Sequence, residues 1–148
     1  MTTTVDARLT AISPAVLSLF RIVFGLLYTV HATQKLFAWP VGTATSSGEL
    51  TGPAVPIGAW PFWWAGLIEL VAGLLLLTGL VTRVAAFVAS GEMAYAYFTQ
   101  HQPNALWPIE NGGELAVLFC FGFFLLVFTG GGALALDAMR EGKRRVRR

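Results

Sequence analysis

Cysteine is almost missing from this chain: Cys120 is the only one in 148 residues. A single thiol closes no internal disulfide and builds no CxxC pair or cysteine metal cluster, so thiol chemistry would have to come from a partner. Charge is scarce as well. Lys, Arg, Asp and Glu make up 12% of the chain against 55% apolar residues, and the mean hydropathy is +0.66. A soluble domain carries about twice that charged fraction. The composition therefore excludes an ordinary soluble domain and specifies an integral membrane protein. Histidine occurs twice, at His31 and His101 on separate segments, and no Glu-x-x-His repeat accompanies either. A carboxylate-bridged di-iron site has no pattern to stand on, and no metal is expected. No GxGxxG opening a helix, no P-loop and no HExxH occurs, so a soluble cofactor domain is unsupported. The length suits one domain.

What charge there is lies unevenly. Six of the ten basic residues fall in the last nine positions, "REGKRRVRR". Following a hydrophobic helix directly, this tail reads as a juxtamembrane anchor on anionic lipid rather than a nucleic-acid patch, and no nucleic-acid partner is expected.

Four segments are long enough to cross a bilayer, since roughly 20 helical residues span the hydrocarbon. They run at about 14–39, 61–80, 83–101 and 111–129. Pro14 after Ser13 reads as a first-turn proline, and the glycines of "TGGG" at 129–132 read as a helix stop. A Gly-, Pro-, Ser- and Thr-rich loop fills 40–60, and "LVT" makes a tight hairpin between the second and third spans. The expected fold class is thus an all-α membrane protein, a bundle of four transmembrane helices. A segment at 1–13 precedes the 14–132 domain, and a basic tail at 133–148 follows it. Arg8, Arg83 and the tail share one side of the four-span arrangement, whereas 40–60 and 102–110 hold no Lys or Arg. Positive residues stay inside, which puts both termini in the cytoplasm and the loops at 40–60 and 102–110 outside. The first span is too long for a signal-peptide h-region and carries Arg21, His31 and Lys35.

Those three residues pose the functional question. At about 100° per residue, Arg21, Gly25, Tyr28, His31 and Lys35 share an arc of roughly 120°. Such a stripe cannot face lipid, because each mid-depth charge costs several kcal/mol. Facing it, Glu69 lies midway along the second span between Gly66 and Gly73. Glu92 lies midway along the third with Tyr95, Thr99 and Gln102 continuing its face. Glu114 follows Asn111 at the start of the fourth. Taken singly, Lys35 and Arg21 can each snorkel to headgroups, His101 can be a solvated loop residue, and Glu114 suits a helix N-terminus whatever it does. Taken together, three carboxylates, His31 and Lys35 in four short spans point to a functional polar cavity.

A quinone suits that cavity. Its ring needs an apolar slot, its two carbonyls need donors, and its redox change needs proton carriers. His31 and Lys35 can donate, Glu69 and Glu92 can handle protons, and Tyr28, Tyr95, Phe119 and Phe121 can flank the ring or serve simply as core. Asn111 and Glu114 would close the outer end. The chain offers no site for an electron carrier, so a redox partner, membrane-bound or peripheral, is implied. Two other readings stay open: a non-catalytic scaffold for a redox or stress-response complex, homo-oligomeric or not, and a small proton-coupled carrier. The carrier reading lacks an inverted repeat.

"RIVFGLLYTVHATQKLF", "GLIELVAGLLLLTGLVTRVAAFVASGEMAYAYF" and "NGGELAVLFCFGFFLLVFTG" together resemble the DoxX family of small bacterial membrane proteins over roughly residues 17–137. The HxxxKLF element falls on His31, Lys35, Leu36 and Phe37. GxxELxxGLLLLxG falls on Gly66, Glu69, Leu70, Gly73 and Gly79, and NGGELA runs from Asn111 to Ala116. Ala32 stands where the family pattern often has glycine. The resemblance implies a four-helix protein of the bacterial inner membrane, similar to the DoxD subunit of thiosulfate:quinone oxidoreductases; the quinone suspected for the cavity is menaquinone or ubiquinone. Other relatives look like accessory parts of membrane oxidoreductase complexes that resist oxidative or thiol stress.

Overall fold

A computed structural model describes residues 3–140; the expected basic tail lies outside the described residues from 141 onward. The chain is helical in the order α1 (Thr4–Phe37), α2 (Phe62–Thr78), α3 (Thr82–Ala96), a π-helical turn (Tyr97–His101), α4 (Pro108–Asn111) and α5 (Glu114–Thr129). No strand forms among the described residues. Residues 136–140 add a further helical turn.

Helix α1 begins ten residues before the expected start. Thr3 and Asp6 form a capping box, in which the Thr3 hydroxyl accepts from the Asp6 N–H and the Asp6 carboxylate accepts from the Thr3 N–H. Two orphan donors are thereby satisfied at a point where apolar periodicity alone gave no start signal. Pro14 consequently sits inside the helix rather than in its first turn. It forfeits one backbone bond, while the neighbouring Ser13 hydroxyl donates back to Leu9 O at 2.8 Å.

The buried face of α1 is Ser18, Arg21, Gly25, Tyr28 and Ala32, the 3–4 spacing of one helical stripe. It packs most closely on α2, α3 packs on α5, and α2 on α3. Gly25 and Gly73 let α1 and α2 approach: a Cβ at Gly73 would lie 3.2 Å from Thr29 N and 3.3 Å from Gly25 O. Aromatic rings fill the space between α1 and α5. Tyr28 meets Phe123 edge-on with centroids 4.8 Å apart, and Phe24 meets Phe119 at 5.5 Å. Outward, the surface is studded with exposed apolar side chains such as Leu19, Phe87, Phe121 and Phe128. Helix α1 is both long and apolar enough to cross a membrane, and α2 and α5 are apolar but shorter.

One end of the bundle is tied by side chains that cap distant helices. Arg21 is 1% exposed. It donates to Leu76 O and Leu77 O at the end of α2, and to Gly131 O (2.8 Å) and Leu134 O (3.3 Å) in the last turn. Its charge thus neutralises the carbonyl end of a neighbouring helix instead of reaching headgroups. Arg83 does the same for α5 through Val127 O and Phe128 O. Asp137 caps the start of α3, accepting from Val81 N (2.9 Å) and Thr82 N (2.8 Å). This holds Val81 at φ 50°, a conformation that a β-branched residue adopts only when fixed from outside. At the opposite end, residues 40–60 are ordered rather than loose: Thr43 and Gly52 exchange backbone bonds, and Val55 N donates to Lys35 O.

Burial alone would raise the Asp137 carboxyl, but donation from Thr82 and Val81 together with the nearby Arg140 charge outweighs it and leaves the group below its usual range. The stabilisation is therefore present at neutral pH and is lost as pH falls through that lowered value. Thermal unfolding of Asp137→Ala in detergent is expected to show a loss of about 1 kcal/mol at neutral pH, shrinking in strong acid. Equal stability of variant and parent at neutral pH would show that the cap is idle.

Candidate functional site

The other end of the bundle holds a cavity of about 400 Å³, walled by α1, α2, α3 and its π-helical extension, and α5. That volume is in the range of small-molecule sites. Each wall follows from a helical face described above. From the last turns of α1 come Tyr28, His31 and Lys35; from the first half of α2 come Phe62, Ala65 and Glu69. Glu92, Met93, Tyr95 and Thr99 come from α3 and its extension, and Leu115, Ala116 and Phe119 from α5.

Lys35 and Glu69 form an ion pair across α1 and α2, Nζ to Oε1. The Lys35 side chain keeps 24% of its surface and that of Glu69 only 1%. Gly66, one turn before Glu69, leaves room for the α1 side chains that reach α2: a Cβ there would lie 3.1 Å from Leu36 Cγ and 3.2 Å from Lys35 Cβ. The second oxygen of Glu69, Oε2, is buried with no donor among the described residues. Tyr28, fully buried, donates its hydroxyl to Glu92 Oε2 at 3.0 Å, which joins α1 to α3 across the floor of the cavity. His31 presents its ring edge-on to Phe119, centroids 5.9 Å apart. It makes no hydrogen bond to the described residues, so its ring nitrogens remain available to a ligand. The chemistry gathered here is one ammonium, two imidazoles (His31 and His101), two carboxylates and two phenols, of which that of Tyr28 is already engaged, on a largely apolar wall.

The structure thus brings together Tyr28, His31, Lys35, Glu69, Glu92 and Tyr95. It does not bring Glu114 or Asn111 into the lining. Glu114 is exposed on the first turn of α5. Asn111 is occupied locally, donating to Ala105 O (2.9 Å) and accepting from Gly113 N (2.8 Å) through its side chain. Asn111 shapes the turn that leads into α5, and the expected third carboxylate stands apart. Phe121 is likewise turned outward, 67% exposed, while Phe119 takes the wall position.

Sequence reasoning missed Gln100 and His101, which also line the cavity. A regular α-helix through Glu92 carries its face on to Gln102. The π turn, closed by Gln102 N donating to Tyr97 O at 2.9 Å, sets the register back and brings Gln100 and His101 round instead. Single π turns of this kind concentrate at functional sites, and no residue pattern announces them. His101 is fixed through Nδ1 against Asn111 O at 3.1 Å, which ties the π turn to the approach of α5.

Removing one member of a buried ion pair leaves its partner's charge uncompensated and typically costs 3–5 kcal/mol, whereas replacing both by apolar groups is often neutral. Lys35→Met is therefore expected to lower thermal stability in detergent more than the double variant Lys35→Met, Glu69→Leu. A double variant as unstable as the sum of the two single ones would show that the residues do not act as a pair.

The family model of DoxX matches residues 16–102, from α1 to just past the π turn. An uncharacterized protein of Haemophilus influenzae is 42% identical over 127 residues, covering 84% of this chain and 90% of that one. No solved structure matches. A match over more than half of the chain, together with a relative this similar along most of both sequences, settles the kinship: the chain is a membrane protein of the DoxX family.

Proposed function

We propose that this protein is the membrane subunit of an oxidoreductase assembly and that its cavity binds the headgroup of a quinone, menaquinone or ubiquinone. The observation that carries the reading is the cavity itself, where the Lys35–Glu69 pair and the Tyr28–Glu92 pair stand in a largely apolar lining. Buried charge of this kind is a weak source of stability, and inside a membrane it marks ligand or proton pathways. The residues present fit the group. Phe62, Met93, Leu115 and Phe119 supply apolar wall, Lys35 and His31 supply donors for a ring oxygen, and Glu69 and Glu92 supply acceptors that can take up or release protons.

Bound quinone would supply two-electron chemistry coupled to two protons. The protein's own part is to hold the ring against Phe119, to orient its oxygens at Lys35 and His31, and to hold protons at Glu69 and Glu92. Electrons come from a partner protein, since this chain presents only the quinone side. In the arrangement we propose, α1, α2, α3 with its π turn, and α5 each cross the bacterial inner membrane as a four-helix bundle. Both termini and the Arg21–Asp137 end face the cytoplasm, and the cavity lies in the outer half. The exposed apolar side chains around the bundle support lipid on all sides. The distribution of Lys and Arg supports this orientation.

Purified protein in detergent or nanodiscs is expected to bind menaquinone or ubiquinone saturably, and Lys35→Met, selected as the monodisperse folded fraction, to weaken that binding at least tenfold. Unchanged affinity in the folded variant would remove Lys35 from the site.

A further inference from the structure

On the outer wall of the bundle, α3 and α5 share two depressions that follow one line of residues. Arg83, Phe87, Ser90 and Ala94 recur at the i, i+4, i+7, i+11 spacing of a single helical stripe. Phe87, Gly91 and Ala94 of α3 face Cys120, Phe121 and Phe124 of α5 across an apolar groove of about 290 Å³. A Cβ at Gly91 would meet nothing within 4 Å, so the groove is open along its α3 side. At its foot stands Arg83, which ties the start of α3 to Val127 O and Phe128 O at the end of α5.

Arg83 also borders an open cleft of about 970 Å³ at the base of the bundle, with Gly130, Gly131, Gly132 and Arg140. Its Nη1 is spent on the two carbonyls, whereas Nε and Nη2 carry hydrogens that meet no acceptor among the described residues. A Cβ at Gly130 would lie 3.5 Å from Nη2 and 3.9 Å from Nε, so this unengaged edge lies over the glycine turn. In that turn the N–H groups of Gly131 and Gly132 likewise donate to nothing among the described residues. Asp137 is the one carboxylate lining the cleft, and both its oxygens accept from the start of α3. Arg21 adds its charge from beneath, bound to Gly131 O. Positive charge and unengaged donors thus gather where an apolar groove ends, which suits a phosphate joined to an acyl chain. A free phosphate would use the cleft and leave the groove empty. A docked helix would fill the groove and leave the donors unmet. We propose that the α3–α5 face binds one anionic phospholipid, its phosphate at Arg83 and an acyl chain along Gly91. None of this depends on what the cavity at the other end binds.

The test uses full-length protein freed of lipid in a neutral detergent, with bound molecules counted by native mass spectrometry. It is titrated with phosphatidylglycerol, with phosphatidylcholine of the same chains, and with glycerol phosphate as competitor. Phosphatidylglycerol is expected to fill one site about tenfold or more tightly than phosphatidylcholine, and Arg83→Gln to erase that preference. Gly91→Leu puts a good helix former into the groove and leaves every arginine in place; it is expected to weaken phosphatidylglycerol about fivefold or more. This variant decides, because basic residues elsewhere on the chain attract anionic lipid whatever the groove does. Unchanged affinity in Gly91→Leu would assign the binding to surface charge and overturn the proposal. Equal affinity for the two lipids, or displacement by glycerol phosphate at the lipid's own concentration, would overturn it too. If Arg83→Gln fails to fold, Gly91→Leu, whose Cβ meets no neighbour, still gives the answer.

Discussion

The ion pair of Lys35 and Glu69 is the constraint around which the upper part of this molecule is arranged. A carboxylate 1% exposed among apolar helices needs a counter-charge, and the ammonium on the last turn of α1 supplies it. The pair can form only where α1 and α2 come close, and they come close because Gly25, Gly66 and Gly73 line their interface. The same contact places His31 and Tyr28, one and two turns back along α1, on the cavity wall. The packing of two helices and the chemistry of the site are therefore one requirement, and a side chain at Gly66 would disturb both.

The two ends of the bundle use charge differently. At the Arg21 end, charged groups meet backbone: Arg21 and Arg83 bind the carbonyl ends of α2 and α5, and Asp137 binds the amide end of α3. These three tie the base together through backbone groups, and the buried Thr82 hydroxyl beside Asp137 is left without a partner among the described residues. At the Lys35 end, charged groups meet one another and leave unengaged atoms at Glu69, Glu92 and His31, bordering a cavity. A base tied by backbone caps below a partly open cavity lined with charged groups is the division of labour expected of a binding protein whose site must be held in shape while ligands pass.

Much of this was legible in the residues. Hydrophobic runs placed α2, α3 and α5 to within a few positions, and the 3–4 spacing of Arg21, Gly25, Tyr28, His31 and Lys35 gave the inward face of α1. The failures have separate physical causes. Helix α1 begins at Thr4 because a capping box sets its start ten residues ahead of the one that Pro14 suggested. Arg21 was ambiguous because its partners are backbone carbonyls, which no side-chain pattern reveals. Asp137 caps a helix 55 positions earlier in the chain for Thr82, a contact that sequence spacing cannot supply. His101 entered the cavity through a π turn, and Glu114 was placed in it by depth alone, although its side of α5 faces out. Residues paired through helical period were readable; those paired through turns and register shifts were not.

The central claim is that an apolar ring sits against Phe119 between α2 and α3, within reach of Lys35 and Glu69. Photoaffinity labelling with an azido-quinone, followed by peptide mapping, tests it most directly. The account predicts saturable labelling, displaced by excess unlabelled quinone, in the peptides that carry Phe62–Glu69, Glu92–His101 and Leu115–Phe119. Labelling confined to outward-facing rings such as Phe121, Phe124 and Phe128, with no competition by unlabelled quinone, would contradict it.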